Sequence, residues 1–313
     1  MIDFAVLEIT DKCNLRCKHC YGEFTGSCVL TMSDIELVLN NLLSLNCKRV
    51  TLSGGEPFLV KEIFEFAKMF KDKGMQVGVV TNGTVVSQYS KDNFDVFDYI
   101  QISVDGSKEI HEKIRGNGTF DRAIDSIKVL KEYNLNLAMQ ITINHLNQYC
   151  FEDVLELSKM LGVRLSVERV SHSGNAKNVG RININNYKNI IKRIVDEKLL
   201  SSDPLVNAEI CERYSIVPND VIRGCSAGHG GIAIDCDLNV FPCVRLRINM
   251  GNLYKNTIQK ILVSSIYKNI GNREKLTGNC GVCKYKFVCG GCRADAWSEY
   301  KDYHCQDTCC LYP

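Results

Sequence analysis

Six short apolar runs, at residues 4–10, 49–53, 76–81, 99–104, 136–144 and 163–170, punctuate the first part of the chain. Each is rich in Val, Ile, Leu and Thr and most are nearly continuous, the pattern of parallel strands buried on both faces. Between and after them, apolar residues recur at three- and four-residue spacing over 33–45, 61–71, 120–132, 151–161 and 187–199, the period of an amphipathic helix. The first of these carries Ser33 followed by Glu36, the spacing of a capping box. Strand and helix in alternation predict an α/β fold with parallel strands and right-handed crossovers. Six βα units are too few to close an eight-stranded barrel. From about residue 206 the rhythm stops and glycine and cysteine take over, which divides the chain into 1–205 and 206–313.

Composition narrows the function classes. The 313 residues carry a formal charge of +2, with 45% hydrophobic and 24% charged residues. Nothing in that balance points to a polyanion or a membrane surface, and no basic face with interleaved aromatics suggests nucleic acid. No apolar run reaches the roughly 20 residues that cross a bilayer. The opening MIDFAVLEIT has no signal-peptide pattern, so a cytoplasmic location is expected. Seventeen cysteines then need a purpose other than disulfides, which are rare in a reducing compartment. Apart from Cys28, Cys47 and Cys150, they lie between residues 13 and 20 or after residue 210. That segregation favours metal ligation over scattered core thiols.

The first cluster is Cys13, Cys17 and Cys20 in DKCNLRCKHCY. C-x3-C-x2-C offers three thiolates to a four-iron cluster and leaves one iron without a protein ligand. A structural zinc site would lack its fourth ligand, and three unrelated core cysteines are the other plain alternative. The loop follows the first predicted strand, SGGEP (with Gly54, Gly55 and Glu56) follows the second, TNG (with Asn82) follows the third, and SVDG (from Ser103) ends the fourth. Strand C-terminal ends are where α/β folds place active sites. Together these motifs resemble the radical S-adenosylmethionine (SAM) superfamily. The resemblance implies a partial (β/α)6 barrel and a 4Fe–4S cluster whose open iron binds SAM, giving a 5′-deoxyadenosyl radical on one-electron reduction. It also implies that Gly54, Gly55 and Glu56 meet the SAM ammonium, with Asn82 in the loop beside them. Ser103 and Arg115 match polar positions for the carboxylate, and His19 the aromatic position near the adenine. Arg115 also reads as a solvated arginine at a helix end.

The second cluster is Cys280, Cys283, Cys289 and Cys292, spaced C-x2-C-x5-C-x2-C, with Cys225 and Cys243 upstream and Cys305 downstream. A zinc ribbon has similar paired motifs. The order of cysteines resembles the SPASM domain of radical SAM peptide-modifying enzymes, which holds one or two auxiliary iron–sulfur clusters. Carried over, the outer set is Cys280, Cys283, Cys289 and Cys305, and the inner set is Cys225, Cys243 and Cys292. Leu238 stands where the family usually has glycine, and the Cys289–Cys292 spacing is one residue short. The inner set lacks a fourth ligand, for which Cys211 and Cys236 are candidates, and Cys309 or Cys310 could replace Cys305. His172, His229 and His304 read as structural or solvated.

The resemblance implies a peptide substrate, in particular a ribosomally made one that is crosslinked, epimerised or oxidised. A thiol outside the clusters, Cys211 or Cys236, could return hydrogen in an epimerisation. With the first strand at residue 4, leader recognition is expected from the barrel mouth, the second domain or a separate protein, and flavodoxin or ferredoxin as reductant. Alternatives are a tetrapyrrole-modifying enzyme, since the CGGCRA ending at 289–294 is shared with that branch, and a non-catalytic electron-transfer or scaffold protein.

Overall fold

The computed structural model describes residues 2–23, 25–215 and 224–312. Strands β1 (Phe4–Thr10), β2 (Arg49–Gly54), β3 (Gln76–Thr81), β4 (Tyr99–Ser103), β5 (Leu137–Ile143) and β6 (Arg164–Arg169) pair in parallel, each with its sequence neighbour. This is the α/β arrangement expected from the six βα units. The sheet continues on the other side of β1: β7 (Gly231–Ile234) pairs parallel to it, then β8 (Asn239–Phe241) and β9 (Gly251–Asn252) follow antiparallel. The cysteine-rich third is therefore joined directly to the first strand, in one sheet of nine strands ordered β6-β5-β4-β3-β2-β1-β7-β8-β9.

Eleven α-helices run among the described residues: α1 (Met32–Ser44), α2 (Ile63–Lys71), α3 (Lys108–Arg115), α4 (Thr119–Glu132), α5 (Phe151–Leu161), α6 (Ile184–Asp196), α7 (Pro204–Tyr214), α8 (Ile258–Leu262), α9 (Ser265–Gly271), α10 (Gly278–Val282) and α11 (Arg293–Tyr300). The capping box of α1 is not Ser33/Glu36. It is Thr31 and Asp34, whose side chain and backbone groups bond reciprocally while Ser33 only touches the Thr31 hydroxyl. The N-cap thus lies two residues earlier than the Ser33/Glu36 pairing suggests, and the helix starts one residue before the apolar period. None of the helices is long and apolar enough to cross a membrane.

The strands are not apolar on both faces. Leu7, Leu52, Val79, Ile102, Met139, Ile141 and Val167 belong to the buried core with the apolar faces of α1, α2, α4, α5 and α6. Their strand neighbours Thr51, Gln101, Gln140, Thr142 and Ser166 instead line an interior cavity. Residues of β1 and β6 line the same cavity, so the sheet curls around it as a partial barrel.

Leu238 adopts φ 62°, in the left-handed region, at the end of the turn between β7 and β8. Its amide closes the turn on the Asp235 carbonyl at 2.9 Å, and Asp235 N–H donates to the Asn239 carbonyl at 3.1 Å. A type I turn followed by a left-handed residue wants glycine at this place. Leucine is tolerated because its side chain is completely buried in the core. Glycine would relieve roughly 1–2 kcal/mol of backbone strain, whereas emptying a buried leucine site costs roughly 2–5 kcal/mol. Leu238→Gly is therefore expected to lower stability in anaerobic denaturant unfolding of the cluster-loaded protein.

Candidate active site: two cysteine clusters on one cavity

The loop that carries Cys13, Cys17 and Cys20 is closed at its base by Asp11. Its carboxylate accepts from the Cys28 amide at 2.6 Å and from the Thr25 and Ser27 hydroxyls, while Asp11 N–H and the Thr10 hydroxyl both donate to the Cys28 carbonyl. Burial would raise the Asp11 pKa, but these hydrogen bonds outweigh it and hold it down to about 2.

The loop after β2 lies directly against this one. Gly55 N–H donates to the Thr10 carbonyl at 2.9 Å and Glu56 N–H to the Lys12 carbonyl at 2.8 Å. A Cβ on Gly54 would fall 2.2 Å from the Thr10 oxygen, and one on Gly55 2.1 Å from the Lys12 oxygen. Glycine is required at both positions by backbone contact within the protein, and Gly54 also needs its φ of 125°. Glu56 is fully buried. One oxygen accepts from the Thr81 hydroxyl and the Phe58 amide, the other from the Asn82 amide at 2.8 Å. Its carboxylate thus ties the second loop to the third and is not part of the cavity wall. Asn82 extends the chain of contacts back to the cysteine loop, its amide nitrogen donating to Asn14 at 2.9 Å.

Asp105, one residue beyond the SV of SVDG, organises the fourth loop. Its Oδ2 accepts from Arg115 Nε at 2.5 Å and pairs with His19 Nε2 at 3.0 Å, and its Oδ1 accepts from the Thr142 amide at 3.0 Å. Burial works to raise the Asp105 pKa, but Arg115 and His19 overcome it and hold the carboxyl far below the usual range. His111 Nδ1 accepts from the Asp105 amide; burial, then Arg115, lowers its pKa to about 4. Arg115, the last residue of α3, has a side chain only 9% exposed, so it is not a solvated helix-end arginine. Sequence reasoning quoted Asp105 without giving it a role and overlooked α3. The signal available was an acid at a strand end opposite Arg115.

His19, Gly54, Gly55, Asn82, Ser103 and Arg115 all line one cavity with Cys13, Cys17 and Cys20, and its volume is about 1010 Å³. Cys225, Cys243 and Cys292 lie on the wall of the same cavity. Cys280, Cys283 and Cys289 gather instead around a hollow of about 10 Å³, too small for any substrate, and Cys310 is the fourth cysteine there. Cys305 lines neither space and turns toward Asp302, with Sγ 3.8 Å from the carboxylate. Cys309 is buried beside Arg169 and Asp307. Of the candidates for a fourth inner ligand, Cys236 is engaged with Cys28, and Cys211 is buried in α7 outside the cavity wall. His172, His229 and His304 also lie off both walls.

Charge balance fits metal–thiolate groups at these sites. Arg293 is completely buried, donating to the carbonyls of Gly291, Tyr303 and Cys305, with Nη2 3.7 Å from the Cys280 sulfur. Arg273, 7% exposed, donates to the carbonyls of Gly290 and Cys225, and burial pulls its pKa down. Among the described residues neither has a carboxylate partner, and a buried cation without one is costly. Anionic cysteine-ligated clusters at the two sets would supply the missing negative charge. An all-sulfur donor set suits iron–sulfur clusters or zinc.

Residues 7–161 match the sequence model of the radical SAM superfamily, and residues 225–284 match that of an iron–sulfur cluster-binding domain, SPASM. The chain belongs to the radical SAM superfamily. It is a radical SAM enzyme with a SPASM domain, and its cofactors are a 4Fe–4S cluster, SAM and auxiliary iron–sulfur clusters. It is 27% identical to the AdoMet-dependent heme synthase of Methanosarcina barkeri, over 97% of this chain and 95% of that protein. It is 23% identical to the antilisterial bacteriocin subtilosin biosynthesis protein of Bacillus subtilis, over 97% of this chain and 70% of that one. Among solved structures, Streptococcus suis SuiB bound to its precursor peptide SuiA matches with a TM-score of 0.79 at 15% identity. That match covers 99% of this chain and 76% of SuiB, a likeness of fold.

Proposed function

We propose that this radical SAM enzyme removes a hydrogen atom from a peptide and oxidises the substrate radical, as the maturase of a ribosomally made peptide. The observation that carries the reading is the single cavity shared by the cysteine triad and by Cys225, Cys243 and Cys292. A substrate held there faces both cysteine sets. Cys13, Cys17 and Cys20 would hold the 4Fe–4S cluster, with SAM among Gly54, Gly55, Asn82, Ser103, His19 and Arg115. Bound there, cluster and SAM supply a carbon radical able to break an unactivated C–H bond. Glu56 acts on this pocket through the loops it holds together. Arg115 and His19, fixed on Asp105, present their remaining nitrogens to the ligand, and the surrounding walls position the substrate and keep water out.

In the SPASM part, residues 206–313 in this reading, the inner set is Cys225, Cys243 and Cys292 and the outer set Cys280, Cys283 and Cys289 with Cys310. Cys310→Ala is expected to lose about four irons per chain, one cluster's worth, whereas Cys305→Ala keeps them. Iron analysis with electron paramagnetic resonance (EPR) of the anaerobically reconstituted variants decides between the two. A flavodoxin or ferredoxin as reductant and a separate leader-binding protein would complete the system.

The cavity's cations favour a peptide over a polycarboxylate. Arg16 is bonded to the Cys13 and Leu15 carbonyls, Arg115 to Asp105, and Arg169 to Asp203 and Asp307. Beside the cysteines Arg245 is likewise engaged, with the Arg169 carbonyl and Glu168, while Arg49 and Arg164 lie at the far ends of their strands. The extent of the likeness to the heme synthase favours a second reading, trimming of carboxylate side chains on an iron tetrapyrrole. To separate them, the reconstituted protein is incubated anaerobically with dithionite and SAM while 5′-deoxyadenosine is followed. Stimulation by a short peptide encoded beside the gene, lost in Cys13→Ala, is the expected result. Stimulation by iron coproporphyrin and not by peptides would overturn the peptide reading.

A further inference from the structure

We propose that Glu168 is the proton acceptor for the oxidation that follows hydrogen abstraction, coupled through Arg245 to the inner cysteine set. The proposal rests on the radical reading above and deepens it by naming the group that receives the proton. Only two carboxylates line the cavity among the described residues, Glu23 and Glu168. Glu23 is on the exposed rim and pairs with Lys177. Glu168, near the end of β6, has a side chain 19% exposed and sits among the polar inward residues of the barrel.

Its two oxygens are held but not exhausted. Oε1 accepts from the Ser202 amide at 2.8 Å and Oε2 from the Ser202 hydroxyl at 2.5 Å. A carboxylate has about four acceptor sites, so these bonds orient it and leave capacity facing the cavity. Arg245 Nη1 lies 3.9 Å from Oε2 and donates to the Arg169 carbonyl at 3.0 Å. Arg245 also meets the inner set in space: its own amide donates to the Cys243 sulfur at 3.5 Å, and Cys292 lies near enough for its charge to act on the same guanidinium. One cation therefore bridges the acid and the inner cysteines.

The chemistry balances as follows. The substrate radical on carbon forms a bond to a neighbouring heteroatom whose O–H, S–H or N–H bond breaks. The heteroatom's proton passes to the Glu168 carboxylate. One electron would leave to the iron–sulfur cluster that Cys225, Cys243 and Cys292 would hold, the oxidant of the step. An electron arriving at that cluster offsets the charge of Arg245 and so raises the proton affinity of Glu168. Proton and electron uptake are thereby linked.

The charged groups acting on Glu168 are few. Burial is the largest influence and raises its pKa, Asp203 adds to the rise, and Arg245 and the Ser202 bonds oppose it. Across the β5–β6 ladder its neighbour is the uncharged Thr142. Linkage then gives a sign. Where reduction draws a proton onto Glu168, the midpoint potential of the inner cluster falls as pH rises. The slope vanishes above and below the window between the pKa values for the oxidised and reduced cluster.

The test needs no substrate. The inner-cluster EPR signal of the reconstituted holoenzyme is titrated against potential across mildly acidic to mildly alkaline pH. Wild type and Glu168→Asp should show the slope and Glu168→Gln a flat line. Arg245→Gln should move the window to higher pH and narrow it, because the cation that couples acid and cluster is gone. Ser202→Ala, which removes the hydroxyl bond to Oε2 but keeps the amide bond and the acid, should retain the slope. A slope in Glu168→Gln equal to wild type, or none in wild type, overturns the proposal. Failure of the radical reading shows separately, as clusters that load while no 5′-deoxyadenosine forms.

Discussion

Asp307→Ala should destabilise the protein by on the order of 3–5 kcal/mol, the cost of breaking one side of a buried ion pair. Arg169 donates to both Asp307 oxygens at 2.8 Å and to Asp203 at 3.0 Å, with all three side chains at most 2% exposed. Without Asp307 the guanidinium keeps one counter-charge where it had two. The loss is wider than one pair, because Asp307 also accepts from the amides of Cys292 at 2.7 Å and Cys309 at 2.9 Å. One carboxylate thus fastens the end of β6 to the backbone of an inner cysteine and to the residue before Cys310. Two outcomes are expected together: a lower midpoint in anaerobic denaturant unfolding, and reduced auxiliary iron with the N-terminal cluster retained. Asp307→Asn should fall between wild type and alanine, since it keeps an acceptor for one of the two Arg169 bonds.

These contacts also mark where sequence reading stops. The six strands were legible as short, nearly continuous apolar runs and five of the helices by a period near four, and their bounds fall within a few residues of the structure. The loops were legible because Gly54 and Gly55 answer to a backbone contact that admits no other residue. Helix α3 was not, because KEIHEKIR is short and mostly polar and buries only His111 and Ile114. The inward polar residues of the strands, Thr51, Gln101 and Gln140 among them, were taken into apolar runs, although their alternation announces a lined interior. Spacing along the chain does not give distance in space: Cys305 comes first in sequence, but Cys310 is the one beside Cys280 and Cys283. Glu168 carried no motif at all. Its placement follows only from the strand register and the curl of the sheet.

Asp105→Asn is expected to weaken SAM binding by about a hundredfold while leaving the N-terminal cluster in place. Asparagine fits the same space and keeps an acceptor for the Thr142 amide, so the loop should still form. What it removes is the negative charge that holds Arg115 and His19 against the cavity wall. Hydrogen bonds to charged groups are worth about 1.5–3 kcal/mol each, and about 2.7 kcal/mol corresponds to a hundredfold in affinity. The pH dependence has a definite sign. Because the folded-state pKa of Asp105 is depressed, its contribution is complete above its unfolded value of about 3.9 and is lost only as pH falls through the folded value. SAM binding to the wild-type holoenzyme should therefore show no Asp105 titration at neutral pH, and the deficit of Asp105→Asn should be constant there. Equilibrium binding of SAM to the anaerobically reconstituted proteins measures it. Asp105→Glu tests position against charge: it restores the carboxylate one methylene too far along, in a fully buried site. Its affinity should stay well below wild type if geometry governs Arg115, and match wild type if charge alone does.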